Sequence, residues 1–210
     1  MDSQVETINL ATGTNSLTLA GTTAHTIVGG TGGDTITITT GTTGINQTIN
    51  FGVDVATDRI SVNNPGVVIT ETKNATITNF NVGHDAIKTL LAGTSTTSGA
   101  FTAVGAGLNT AITAATSSIF EITGTNVATL TDTSDGGAVE LAIINAFGTL
   151  TGTPTFTVAL YGGGNAGIYQ VTIADSGDQN VTAGADLTVE LLVELVGVAV
   201  DSLTSANFYS

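Results

Sequence analysis

Along residues 1–47, threonine alternates with valine, isoleucine and leucine in short runs broken by glycine turns. A period of two in short runs is the pattern of strands with one buried face. Ile27, Ile36 and Ile45 recur every nine residues, so the first stretch is predicted to stack as short parallel turns. Strand, aspartate-bearing turn and strand are then expected twice, over 48–62 and 76–87, with Pro65-Gly66 and a strand over 67–70 between them. Residues 92–118, rich in Gly, Ala, Ser and Thr, read as a linker and a short helix marked by Leu108 and Ile112. A strand is expected at Ile119–Thr123, then a helix over 137–147. Val139, Ile143 and Phe147 form the apolar stripe of that helix, Ser134 or Asp135 would cap its start, and Gly148 its end. Phe156, Val158 and Leu160 alternate up to a glycine turn at 162–167, and Tyr169, Val171 and Ile173 alternate on the way back, which is a β-hairpin. The valine-rich run 187–200 is predicted to be a final strand. The fold class that follows is mainly β: a short parallel β-roll or β-helix-like part over 1–91, then a β-rich, sandwich-like part over 92–210 with one or two short helices.

One stretch inside this pattern carries chemistry. Gly29-Gly30-Thr31-Gly32-Gly33-Asp34-Thr35-Ile36-Thr37 fits the nonapeptide G-G-x-G-x-D-x-U-x, U apolar, at every specified position. Its glycines permit a tight turn with inward carbonyls, and its aspartate adds a carboxylate, a set of hard oxygens suited to calcium. Asp34 is therefore the leading calcium candidate, with carbonyls of Gly29, Thr31 and Gly32. Asp85, Asp58 and Asp54 are further candidates in the two later turns. In the nine-residue register His25 and Thr43 stand where Asp34 stands, so the ligand pattern fades on either side while the apolar spacing continues.

Composition narrows the partners. Formal net charge is −14, and Arg59, Lys73 and Lys88 are the only Lys or Arg residues, so the phosphate backbone of a nucleic acid finds little to neutralise it. An anionic membrane surface is repelled, whereas divalent cations are attracted and relieve self-repulsion. There is no cysteine, hence neither disulfide nor thiolate metal site. The first residues, Met1-Asp2-Ser3-Gln4-Val5-Glu6, show neither the basic nor the apolar region of a cleavable signal peptide. The run 187–200 carries Glu190 and Glu194 and is too short to span a bilayer, so no membrane insertion is expected.

Two segments resemble a known family. Ile77-Thr78-Asn79-Phe80-Asn81-Val82-Gly83-His84-Asp85-Ala86-Ile87 is similar to the I-x-D-F-x-x-G-x-D-x-I-x-L signature that follows the β-roll in calcium-binding repeat proteins of bacterial type I secretion. These include surface-layer proteins, large adhesins and repeat-bearing hydrolases. The chain has Asn79 where the family has Asp and Thr89 where it has Leu. Leu195-Val196-Gly197-Val198 and then Leu203-Thr204-Ser205-Ala206-Asn207-Phe208 resemble the closing segment of the same proteins, with Leu203, Thr204, Asn207 and Phe208 as the secretion-signal-like residues. The resemblance implies an extracellular, bacterial cell-surface location, the type I secretion machinery as a partner, calcium as cofactor, and self-association into a lattice or filament.

Enzymatic activity is not expected. The two histidines, His25 and His84, lie in turns without a nucleophile motif, and no H-E-x-x-H occurs. Paired carboxylates for sugar hydrolysis lack an aromatic cleft to serve, at 5% aromatic content. The function expected is a structural, calcium-binding module of a surface layer or matrix. The alternative is an adhesin-type module that presents Thr-rich strands, such as Thr35-Ile36-Thr37-Ile38-Thr39-Thr40, to ice or a cell-surface polysaccharide.

Overall fold

The computed structural model describes residues 6–20, 23–39, 45–64, 75–91, 101–105, 112–113, 119–147, 150–151, 155–173 and 187–209. Eight short strands build a two-sheeted parallel solenoid: β1 (Glu6–Asn9), β2 (Ser16–Ala20), β3 (His25–Val28), β4 (Thr35–Thr39), β5 (Gln47–Asn50), β6 (Arg59–Asn64), β7 (Ala75–Thr78) and β8 (Ala86–Leu91). The odd-numbered strands pair in parallel as one sheet and the even-numbered ones as another. Every other side chain of each strand must point inward. Ile27, Ile49 and Ile77 from one sheet meet Ile36, Ile60 and Ile87 from the other, all fully buried. Full burial of one such side chain is worth about 1.5–3 kcal/mol, so these isoleucine stacks hold the two sheets together.

The coils grow longer along the chain. In the first sheet Glu6 pairs with His25, Thr26 with Thr48, and Gln47 with Ala75. This corrects the nine-residue register beyond Ile36: Ile49, not Ile45, takes the inward position of β5, and Gln47 stands where Thr43 was expected. The extra length lies in loops, which a solenoid accommodates outside its ladders. Phe51 and Phe80, just after β5 and β7, plug the widened corner with their rings 6.4 Å apart.

The C-terminal part adds β9 (Phe101–Gly105), β10 (Ile112–Thr113), β11 (Ile119–Thr123), β12 (Leu150–Thr151), β13 (Thr155–Gly162), β14 (Asn165–Ile173) and β15 (Leu187–Val196). All but β10 and β12, which pair as a small sheet of their own, continue the first sheet. β15 pairs in parallel with β7, so one nine-stranded sheet runs in the order β1-β3-β5-β7-β15-β14-β13-β11-β9 across the 91/92 boundary. The hairpin expected from sequence is β13–β14, closed by Gly163 and Gly164 at φ +60° and +82°, the backbone a two-residue turn of primed type requires. The expected linker contains β9, and Ile112 lies in β10 paired to β12 instead of in a helix.

Both faces of β13–β15 are covered. Ala159, Tyr161, Ala166 and Ile168 join the solenoid core, while Val158, Leu160, Tyr169 and Val171 face the helix α1 (Ala138–Phe147). Val139, Ile143 and Phe147 of that helix are fully buried, as the stripe predicts. Its start is held by Asp132, whose carboxylate accepts from the Ala138 amide at 3.0 Å and from the Ser134 hydroxyl at 2.7 Å; neither Ser134 nor Asp135 takes that place. The expected strand over 67–70, Gly148 and the aspartates at 175, 178 and 186 lie outside the described residues.

Candidate functional site

The residue two positions before the first inward apolar side chain of β2, β4, β6 and β8 is Asn15, Asp34, Asp58 and Asp85 in turn. These four stack into a ladder at one corner of the solenoid. Asp34 Oδ1 accepts from the Asn15 amide at 3.2 Å, Asp58 Oδ1 from the Asp34 amide at 2.7 Å, and Asp85 Oδ1 from the Asp58 amide at 2.9 Å. Each side chain thus satisfies a backbone N–H of the preceding coil that a turn would otherwise bury unpaired. Asp34 is fully buried, and Asp58 and Asp85 nearly so, at 2% exposure each.

Burial in this column disfavours ionisation of Asp58 and Asp85. Burial pushes Asp58 up to about 7; the bond from the Asp34 amide opposes this, and the charges of Asp85, Asp34 and Asp54 add to it. Asp85 is likewise raised by burial, against the amide bonds it accepts from Asn81 and Asp58.

At the upper end of the ladder, Asn15 Nδ2 lies 2.8 Å from Ala11 O, 3.0 Å from Gly13 O and 2.8 Å from Asp34 Oδ1. An amide donor therefore fills the point where two carbonyls and the carboxylate of Asp34 converge. Gly30 donates weakly to the other oxygen, Oδ2, at 3.4 Å. Gly29, Thr31 and Gly32 lie in the same corner loop as Asp34. Gly29 donates to Asn50 O at 2.7 Å, Thr31 is exposed, and a Cβ on Gly32 would fall 2.4 Å from Gly13 O, so close stacking of the loops demands glycine there.

Asp54 stands differently. Its Oδ1 accepts from the Ala56 amide at 2.7 Å, while Oδ2 is buried and meets no donor. It borders an open cleft of about 320 Å³ between Gly52, Val53, Asn79, Phe80, Asn81 and Val82. Asn81 Nδ2 ties the two loops by donating to Asp54 O at 3.2 Å, and Asn79, at φ +60°, donates to Asn50 Oδ1 at 2.7 Å. Asn81 Oδ1 accepts from the Gly83 amide at 3.0 Å, which leaves Asp54 Oδ2 as the unpartnered hard oxygen beside the cleft, of the kind calcium takes. Among the described residues no three of His, Cys, Asp and Glu gather as a metal group. Of the candidates read from sequence, then, Asp34, Asp58 and Asp85 share one ladder, and Asp54 lies close enough to raise both Asp58 and Asp85.

Sequence reading missed Asn15 and Gln47. Gln47 plays the ladder role at the opposite corner, where its Oε1 accepts from the His25 amide at 2.8 Å. The signal was available: each stands two residues before an inward apolar position, Leu17 and Ile49.

The secretion-signal-like residues form a cap on the last coil. Leu203 is buried and its amide donates to the Tyr161 hydroxyl at 3.2 Å. Thr204 caps the 3-10 turn Ser205–Asn207. Asn207, 1% exposed, donates to Val82 O at 2.8 Å and Asp85 O at 2.9 Å. Phe208 bridges to Ile87, so the tail adds a rung to β8. The Tyr161 hydroxyl in turn donates to Glu121, whose carboxyl is raised by burial.

Comparison with protein-family models, with curated proteins and with solved structures finds no match to this chain. No helix among the described residues is long and apolar enough to cross a membrane.

Proposed function

We propose that this chain is a structural module of a bacterial surface layer or extracellular matrix, exported by type I secretion and stiffened outside the cell by calcium. The observation that carries the reading is the corner where Asp34, Asp58 and Asp85 stack beside Asp54, whose Oδ2 is buried with no donor. A divalent ion supplies the positive charge this corner lacks. Asp54 is the residue to hold it, with the side-chain oxygen of Asn79 and loop carbonyls lining the same cleft as further ligands. Calcium is scarce in the cytosol and abundant outside, so a bound ion would bias folding toward the exterior, by about 2.7 kcal/mol at a hundred times its Kd. The tail residues Leu203, Thr204, Asn207 and Phe208 would be read by the export machinery before they fold onto β8.

Thermal melting in a chelator and in millimolar calcium, with negative-stain imaging of the same samples, tests this. A higher Tm and sheets or filaments in calcium are expected. An unchanged Tm and dispersed particles in both would refute it.

A further inference from the structure

The chain holds 17 acidic residues, yet β2, β4, β6 and β8 contain none, and they contain two of its three Lys and Arg residues. Register places Ser16, Thr35, Arg59 and Ala86 in one row on the side away from the isoleucine stacks, and Thr18, Thr37, Ser61 and Lys88 in the next, with Ala86 and Ser61 themselves buried and the other six at least partly exposed. The outer face of this sheet is thus hydroxyl-lined and carries charge +2 in a chain of −14. Tyr209, brought alongside by the tail, places its ring centroid 5.7 Å from the Arg59 guanidinium and 5.9 Å from the Lys88 ammonium. Among the described residues neither cation reaches a carboxylate, in a chain with many to offer.

We infer that this face binds a carboxylate-bearing polysaccharide, with a uronic acid seated at Arg59, Lys88 and Tyr209. Guanidinium and ammonium meet the carboxylate, Arg59 with the planar fork that matches it. The tyrosine ring, with both cations over it, holds them close enough to share one carboxylate. The hydroxyls of Ser16, Thr18, Thr35 and Thr37, on strands about 4.7–4.9 Å apart, donate to and accept from sugar hydroxyls along the polymer. The nearest acids, Asp34, Asp58 and Asp85, are buried in the corner just before these strands, so the charged side chains of the strands themselves are both cations. Two cations are too few for a nucleic acid, whose affinity rests on many phosphate contacts. A carboxylated sugar is met by one cationic corner plus hydroxyls.

Affinity gel electrophoresis of the whole chain tests this, in low salt with a chelator to exclude calcium bridging. Gels would contain polygalacturonate, its methyl-esterified neutral form, or polyglutamate. Retardation by polygalacturonate alone is expected. R59Q/K88Q should weaken it at least tenfold, the loss expected for charge-assisted hydrogen bonds, and R59K/K88R should keep most of it. Thr18→Glu, on exposed β2 and away from the tail, should also weaken it severalfold. The inference is overturned if the native chain is not retarded, if the neutral polymer or polyglutamate retards it equally, or if R59Q/K88Q and Thr18→Glu both bind undiminished.

Discussion

Asp58 is the position at which the ladder can be separated into its two contributions, acceptor and charge. Its Oδ1 takes the Asp34 amide at 2.7 Å in a setting where no water competes. Asp58→Ala leaves that N–H buried and unpaired, which costs about 1–3 kcal/mol. For a chain of this size each kcal/mol lowers Tm by about 2–4 °C. Asp58→Asn keeps the acceptor and removes a charge the fold disfavours. In a chelator at pH 8 the asparagine variant should therefore melt at or above the native protein, and the alanine variant well below it. The pH dependence has a definite sign. The folded carboxyl titrates at about 7 against an ordinary 3.8, so the folded state binds this proton more tightly. That stabilisation is complete below 3.8 and is lost as pH rises through 7. Native Tm should fall between pH 5 and pH 8 by more than the Tm of Asp58→Asn does. Differential scanning calorimetry at the two pH values reads both effects. Equal destabilisation by Asn and Ala, or an unaltered pH slope in Asp58→Asn, would refute the ladder account.

Three further outcomes follow from other parts of the fold. Asp54→Asn should abolish any rise of Tm in calcium while changing Tm in a chelator by less than about 1 kcal/mol equivalent, since Oδ1 still accepts the Ala56 amide; an undiminished calcium response moves the ion elsewhere. Gly167→Ala would set a methyl 2.4 Å from the Tyr169 hydroxyl and 2.6 Å from its ring, and should lower stability by about 1–3 kcal/mol through overpacking, read by urea unfolding. Asn207→Ala removes donors to Val82 O and Asp85 O, and should raise amide exchange at Phe208 and Tyr209 selectively; uniform protection across the tail would count against the cap.

The parts of this fold that were legible in the sequence are those written in a local period. Ile27 and Ile36 announce the two sheets, the alternation either side of Gly163-Gly164 announces the hairpin, and Val139, Ile143 and Phe147 announce the helix. The register failed after Ile36 because nothing local fixes how much loop a coil holds, so Ile49 rather than Ile45 reached the core. The pairing of β15 with β7 joins segments more than a hundred residues apart and leaves no trace in either. Asp34, Asp58 and Asp85 were found as individual carboxylates. That each serves the amide of its neighbour, with Asn15 as the first member, follows from the stacking of coils and not from spacing.

The rung that Phe208 and Tyr209 add beside β8 has a bearing on how copies can associate. It closes the β8 end of the coil stack by occupying the side of β8 away from β6. A second copy cannot extend the β2-β4-β6-β8 ladder past β8 without displacing this tail. Extended growth in one or two dimensions has to proceed through the flanks of the solenoid or through the strands beyond β15.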